Sequence, residues 1–140
     1  MRLTSFTDYG LRALMRLAGE PNRSFTTDEL AAELRVSRNH LAKVVQELSR
    51  AGYVRAQRGA GGGLTLLKPP DSISLGEIVR LLERRHAIVE CFRADGGGCT
   101  LTAACRLRSK LAAAREAFLR TLDATALAEC AHPGPARIFA

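Results

Sequence analysis

Cys91, Cys99 and Cys105 lie in one stretch, with seven residues between the first two and five between the second two. Gly96-Gly97-Gly98 runs directly into Cys99. Glycine opens backbone conformations closed to other residues, so such a segment can wrap three sulfurs around one centre. Thiolates select zinc, copper(I) and iron–sulfur clusters over hard cations. Three thiolates fall one short of the usual four, so another ligand comes from elsewhere or the site stays open. The competing reading is three buried apolar thiols, and the glycine-rich setting argues against it. Cys130 stands far off near the C-terminus and reads as a bystander.

A second group of residues suggests contact with an anion. The chain has 140 residues and a formal charge of +7. Residues 1–68 carry 11 basic side chains against 6 acidic, and between 37 and 68 six basic residues face the single acid Glu47. A local excess of this kind is the expected electrostatic footprint of a nucleic-acid partner. Ser37, Arg38, Asn39, His40 and Lys43 would open a helix there. Arg grips guanine and Asn adenine in two-bond pairs, while Ser37 and the helix amides suit phosphate. Arg58, with Gly59 and Gly61, could follow a minor groove. A nucleotide-binding phosphate loop is excluded at these glycines, because no Lys-Ser/Thr follows them and no helix opens there.

The elements that must position these groups are mostly helical. Ser5 and Asp8 resemble a capping box before a helix over 6–18. Thr26 and Glu29 cap a second helix through Leu34. Ser37 caps a third with the stripe Leu41, Val44, Val45 and Leu48, stopped by Gly52. Together they predict a helix-turn-helix over about 28–51. Two β-prone runs on either side of the glycines 59–63 predict a hairpin over about 53–67, the wing of a winged helix. Ser74 and Glu77 would cap a fourth helix. A long helix from Thr102 to Leu122 would carry the seam Leu107, Leu111, Ala114, Phe118 and Leu122, which suits a second copy in a homodimer. A short helical piece over 123–130 follows, and the tail 131–140 is expected to be disordered.

No apolar run approaches a membrane span and Met1–Ser5 does not look like a signal peptide, so no membrane partner and a cytoplasmic location are expected. Thiols stay reduced in that compartment. The histidines His40, His86 and His132 are scattered and form no catalytic set, which points away from an enzyme.

Taken together, several stretches resemble the NsrR-type nitric-oxide-sensing repressors, within the winged-helix regulator family that also contains IscR. They are Leu3–Tyr9, Asn39–Val45, Gly52-Tyr53-Val54, Arg58–Leu64, Leu75–Arg80, Val89–Phe92 and Ala104–Arg108. The resemblance covers about residues 1–130. It implies a mainly α fold: a winged helix-turn-helix domain over 1–82, a cluster loop over 83–102 and a dimerisation helix over 103–130. It also implies a homodimer on double-stranded operator DNA, one iron–sulfur cluster per subunit with 4Fe–4S favoured over 2Fe–2S, and nitric oxide as the signal. Cys91, Cys99 and Cys105 would be the thiolate ligands, and Asp8 the oxygen ligand donated from the partner subunit; the competing reading of Asp8 is a helix cap that pairs with Arg12 one turn on.

The chain departs from the pattern in three places. Seven residues separate the first two cysteines where about five are commoner. Arg108 stands where IscR-like members have a histidine, and Ala60 where a basic wing residue is common. Other readings are an IscR-like or thiol-redox regulator, a small iron–sulfur electron carrier and a structural zinc module.

Overall fold

The computed structural model describes residues 2–134. Five helices and one hairpin make up the fold: α1 (Ser5–Gly19), α2 (Thr27–Leu34), α3 (Arg38–Arg50), β1 (Val54–Gln57), β2 (Gly63–Leu66), α4 (Leu75–Glu83) and α5 (Arg106–Asp123). None of these helices is long and apolar enough to cross a membrane.

The core collects the inner faces of the first four helices. Leu14 and Leu17 of α1, Leu30 of α2, Leu41, Val44 and Leu48 of α3 and Ile78 and Leu82 of α4 are all buried. At Gly10 an added Cβ would lie 2.4 Å from Leu82 Cδ1 and 3.2 Å from Val44 Cγ1, so the absent side chain lets α1 approach both helices. Arg16 is also buried. Its Nε donates to Glu33 at 2.6 Å and its Nη2 to Glu20 at 3.0 Å, while its guanidinium lies 4.5 Å from the Phe25 ring centre. A buried cation is tolerable only when paired in this way.

α2 begins with the predicted capping box. Glu29 N–H donates to Thr26 Oγ1 at 3.0 Å, and Thr26 N–H to Glu29 Oε2 at 2.9 Å. The following turn passes through Arg35, whose φ of 53° is left-handed without a glycine. Val36 N–H reaches back to Ala31 O at 3.0 Å and satisfies the helix end. β1 and β2 pair antiparallel, with Val54 opposite Leu66 and Gln57 opposite Gly63. Phe25 extends the hairpin by two backbone bonds to Leu64 and fixes the wing on the core.

Two expected capping boxes do not form. Thr4, not Ser5, caps α1: its Oγ1 accepts Thr7 N–H at 3.2 Å, and Thr4 N–H and Oγ1–H both donate to Glu83 Oε1 at 2.8 Å. Burial raises the pKa of Glu83, but hydrogen bonds from Thr7 and Thr4 outweigh it and leave the carboxyl below its ordinary value. Before α4, Ser74 Oγ–H is drawn to Asp123 O at 3.4 Å and Glu77 accepts from Tyr53 OH at 3.4 Å. The end of α5 occupies the capping position, for a Cβ on Gly76 would sit 1.9 Å from Asp123 Oδ1.

The long helix starts later than expected. Thr102–Ala104 is a separate 3-10 turn, the backbone extends at Cys105 (φ −79°, ψ 107°), and α5 begins at Arg106. The expected seam divides. Phe118 and Leu122 are half-buried near the buried Leu119, but Leu107 is 61% exposed and Ala114 is exposed too. Arg80 grips Asp123 with both terminal nitrogens, Nη2 to Oδ2 at 2.7 Å.

Past α5 the chain returns to the core. Leu75 N–H donates to Thr125 O at 3.1 Å and Leu127 N–H to Ile73 O at 2.8 Å, which seats Leu127 at 0% exposure. Of the tail expected to be disordered, 131–134 lie along α1, with His132 N–H donating to Met15 O at 3.0 Å. Residues 135–140 lie outside the described residues.

Candidate functional site

Ser37 ends the turn after α2 and accepts His40 N–H at 3.5 Å, which points the first turns of α3 outward. Ser37, Arg38, Asn39, His40 and Lys43 are all exposed, as their place opposite the buried stripe requires. Gln46 and Arg50 continue the same exposed face. They were missed above, although steps of three and seven from Lys43 pointed to them.

Arg58, Gly59 and Gly61 sit at the exposed hairpin tip. Gly59 and Gly61 have φ of 93° and 76°, and Gly62 N–H closes the turn on Gly59 O at 3.0 Å. One open cleft is lined by Arg38 from α3, by Gln57 and Arg58 from the wing and by Asp28 of α2. Lys43, Arg50, Arg55 and Arg58 have no carboxylate within ion-pairing distance among the described residues, so the face carries uncompensated positive charge. Arg58→Ala is expected to weaken duplex binding several-fold and to flatten its salt dependence by about one counterion. Titrations of a labelled duplex at several salt concentrations check this. An unchanged slope with altered preference at one base pair would reassign Arg58 to base contact.

The thiol segment follows the C-terminal end of α4. Cys91 falls in a one-turn 3-10 helix, Glu90–Phe92. Gly96 and Gly97 take φ of 80° and 62°. Asp95 Oδ1 accepts Gly97 N–H at 3.0 Å, and Glu90 Oε1 accepts Gly98 N–H at 2.9 Å. The extra length between Cys91 and Cys99 is thus taken up in a glycine turn pinned by two acids. All the cysteines are free and half-buried. Cys91 lines a cavity that also borders Arg84, Arg85 and Arg108, and Cys105 lines a neighbouring one that shares Phe92 and Arg108. Cys99 borders neither.

Within one chain these ligands do not converge. No group of three His, Cys, Asp or Glu among the described residues is placed to hold a metal ion. Asp8 lies on α1 with its side chain 53% exposed and paired to Arg12 Nη2 at 2.7 Å. Arg12 Nη1 donates in turn to Leu34 O at 3.2 Å, at the end of α2. The donor set still suits an iron–sulfur cluster: three unpaired soft thiols on a segment whose glycines let it close, and one accessible carboxylate.

A helix-turn-helix, a pinned wing and a projecting C-terminal helix define a winged-helix regulator. The sequence matches the Rrf2 family of iron-dependent transcriptional regulators over residues 3–133, and the chain belongs to that family. It is 45% identical over 130 residues to the HTH-type transcriptional regulator NsrR of Geobacillus kaustophilus, covering 92% of this chain and 88% of the relative. Among solved structures it is similar to the oxidized form of CymR from Staphylococcus aureus, with a TM-score of 0.73 and 29% identity over 94% of this chain and 97% of that one. It also shares its fold with IscR of T. potens, with a TM-score of 0.71 and 24% identity over 92% and 85% of the two chains. These relatives are regulators and not enzymes, in agreement with the sequence reading.

Proposed function

We propose that the chain is a repressor that binds double-stranded operator DNA as a homodimer, carries one iron–sulfur cluster per subunit, and releases DNA in response to nitric oxide. The observation that carries this reading is the 45% identity to NsrR, together with a family match that takes in α3, the wing and all three thiols. α3 enters the major groove with Arg38, Asn39, His40 and Lys43 toward base edges and Ser37 toward phosphate. The wing lays Arg58, Gly59 and Gly61 along the minor groove. The exposed Leu107 end of α5 supports pairing with a second copy.

Cys91, Cys99 and Cys105 hold the cluster through thiolates, with 4Fe–4S favoured over 2Fe–2S, and Asp8 of the partner subunit adds a harder oxygen ligand. When bound, the cluster supplies iron that reacts with nitric oxide. Asp8 also links the thiol segment to the DNA-binding face. In the free chain it holds Arg12, and Arg12 holds the carbonyl of Leu34 just before the turn into α3. Moving Asp8 away from Arg12 loosens that contact, a local ligand change acting on a two-state element.

The test is anaerobic purification followed by a visible spectrum and iron and sulfide counts. Affinity is then measured for a duplex selected from a random pool, before and after nitric oxide. Wild type is expected to be coloured and to lose affinity on exposure. Asp8→Ala is expected to stay coloured but to lose the graded response. A colourless zinc protein whose affinity ignores nitric oxide would sink the proposal, and a wild-type response in Asp8→Ala would remove Asp8 from the coupling.

A further inference from the structure

On the exposed face of α3 and the wing, one cation differs from the rest. Arg38 Nε, in the first turn of α3, donates to Asp28 Oδ1, in the first turn of α2, at 2.5 Å. Both side chains stay open to solvent, 60% exposed for Arg38 and 70% for Asp28. Lys43, Arg50 and Arg58 have no such partner among the described residues. A carboxylate beside a phosphate-binding cation would repel the backbone and cancel its counterion release. A paired arginine on this face therefore suits a base edge better than a phosphate.

The way the pair is made supports this. With Nε committed to Asp28, both terminal nitrogens of Arg38 remain free, and this planar fork matches O6 and N7 of guanine. Fixing the guanidinium before binding also spares part of the rotamer entropy that a free arginine loses on contact. Alone, an exposed ion pair of this kind contributes little to folding, so its consequence is felt in the complex.

We propose that Asp28 is a specificity-determining positioning residue: it holds Arg38 in the orientation that reads one guanine in the major groove, and its charge disfavours binding at other sequences. This rests on α3 contacting base edges, as proposed above. Neither local periodicity nor composition revealed the pair, because its members come from two helices ten residues apart.

The experiment selects the preferred duplex of the wild-type protein from a random pool. It then measures affinities of wild type, Asp28→Ala, Asp28→Asn, Arg38→Ala and the double alanine variant, on that duplex, on every single-base-pair variant of it and on an unrelated duplex. Asp28→Ala and Arg38→Ala are expected to lose discrimination at the same G·C pair, by roughly tenfold each, and to keep it elsewhere. The double variant should lose no more than either single one. Asp28→Ala should bind the unrelated duplex more tightly than wild type, an effect that mere loss of structure would not produce. Asp28→Asn keeps an acceptor for Nε, so it should retain most of the discrimination while also gaining non-specific affinity.

If Arg38→Ala loses discrimination at a position where Asp28→Ala keeps it, Asp28 does not position Arg38 and the inference fails while base contact stands. If Arg38→Ala discriminates as wild type does at every position, Arg38 is not a base reader and the inference fails with that part of the functional reading. If no duplex is preferred over random DNA, sequence-specific binding itself falls, and the inference with it.

Discussion

Cys99→Ala is expected to abolish the visible chromophore and the bound iron and sulfide while leaving the helical circular dichroism unchanged. The substitution removes one of three soft donors, and two thiolates with one carboxylate fall short of the four ligands a cluster takes. It costs little elsewhere. The Cys99 carbonyl accepts from Thr102 Oγ1 at 3.0 Å, a contact that alanine keeps, and the side chain borders neither cavity of the segment. The change in unfolding free energy should stay within about 0.5 kcal/mol, the usual range for positions outside a packed core. Loss of helical signal, or dissociation of an otherwise associated protein, would mean that the segment is structural and not a ligand loop.

Leu127→Ala is expected to destabilise the fold by about 2–5 kcal/mol, a large share of the roughly 5–15 kcal/mol that holds a domain together. Leu127 is fully buried and belongs to the core formed by α1, α3 and α4, although it lies beyond α5. Its backbone bond to Ile73 O survives the change, so the loss reports the cavity alone. Urea unfolding with an unchanged slope measures it. Leu67→Ala is the control, for at 43% exposure it should shift the midpoint little. A cost below about 1 kcal/mol at Leu127 would mean that the C-terminal turn is only loosely held.

The helix-turn-helix and wing were legible because their signals are local. The Thr26/Glu29 box, the Ser37 cap, the stripe from Leu41 to Leu48 and the glycines around Ala60 act within a few residues of one another. The caps at Ser5 and Ser74 were misread for the converse reason. Their sequence signatures are real, but Glu83 takes over the start of α1 from 79 residues away and Asp123 displaces the cap of α4 from 49. Arg35 in a left-handed conformation carried no warning, since glycine or asparagine normally marks that position.

Leu127 falls in the short helical piece expected over 123–130, but it belongs to no periodic run, so nothing in the sequence marked it as a core residue. The break at Cys105 was hidden by the good helix formers on both sides of it. At the candidate site, the exposed face of α3 followed from periodicity. The Asp8–Arg12 pair, one helical turn apart, is legible from spacing, whereas the partner of Arg38 sits on another helix and had to come from the fold.

The anchoring of α5 at one end has a mechanical consequence. Its Asp123 end is bolted to α4 through Arg80, Ser74 and the Leu75–Thr125 bond, and Cys105 lies just beyond its other end. Eighteen residues at a rise of 1.5 Å make a shaft of about 27 Å. A sideways pull of 1 Å at the thiol end turns that shaft by only about 2° at its pivot. The linkage is geared down: it multiplies torque on α4 and divides angle. A displacement at Cys105 of an ångström or so would therefore tilt α4 little, and only a rearrangement of several ångströms would turn it appreciably.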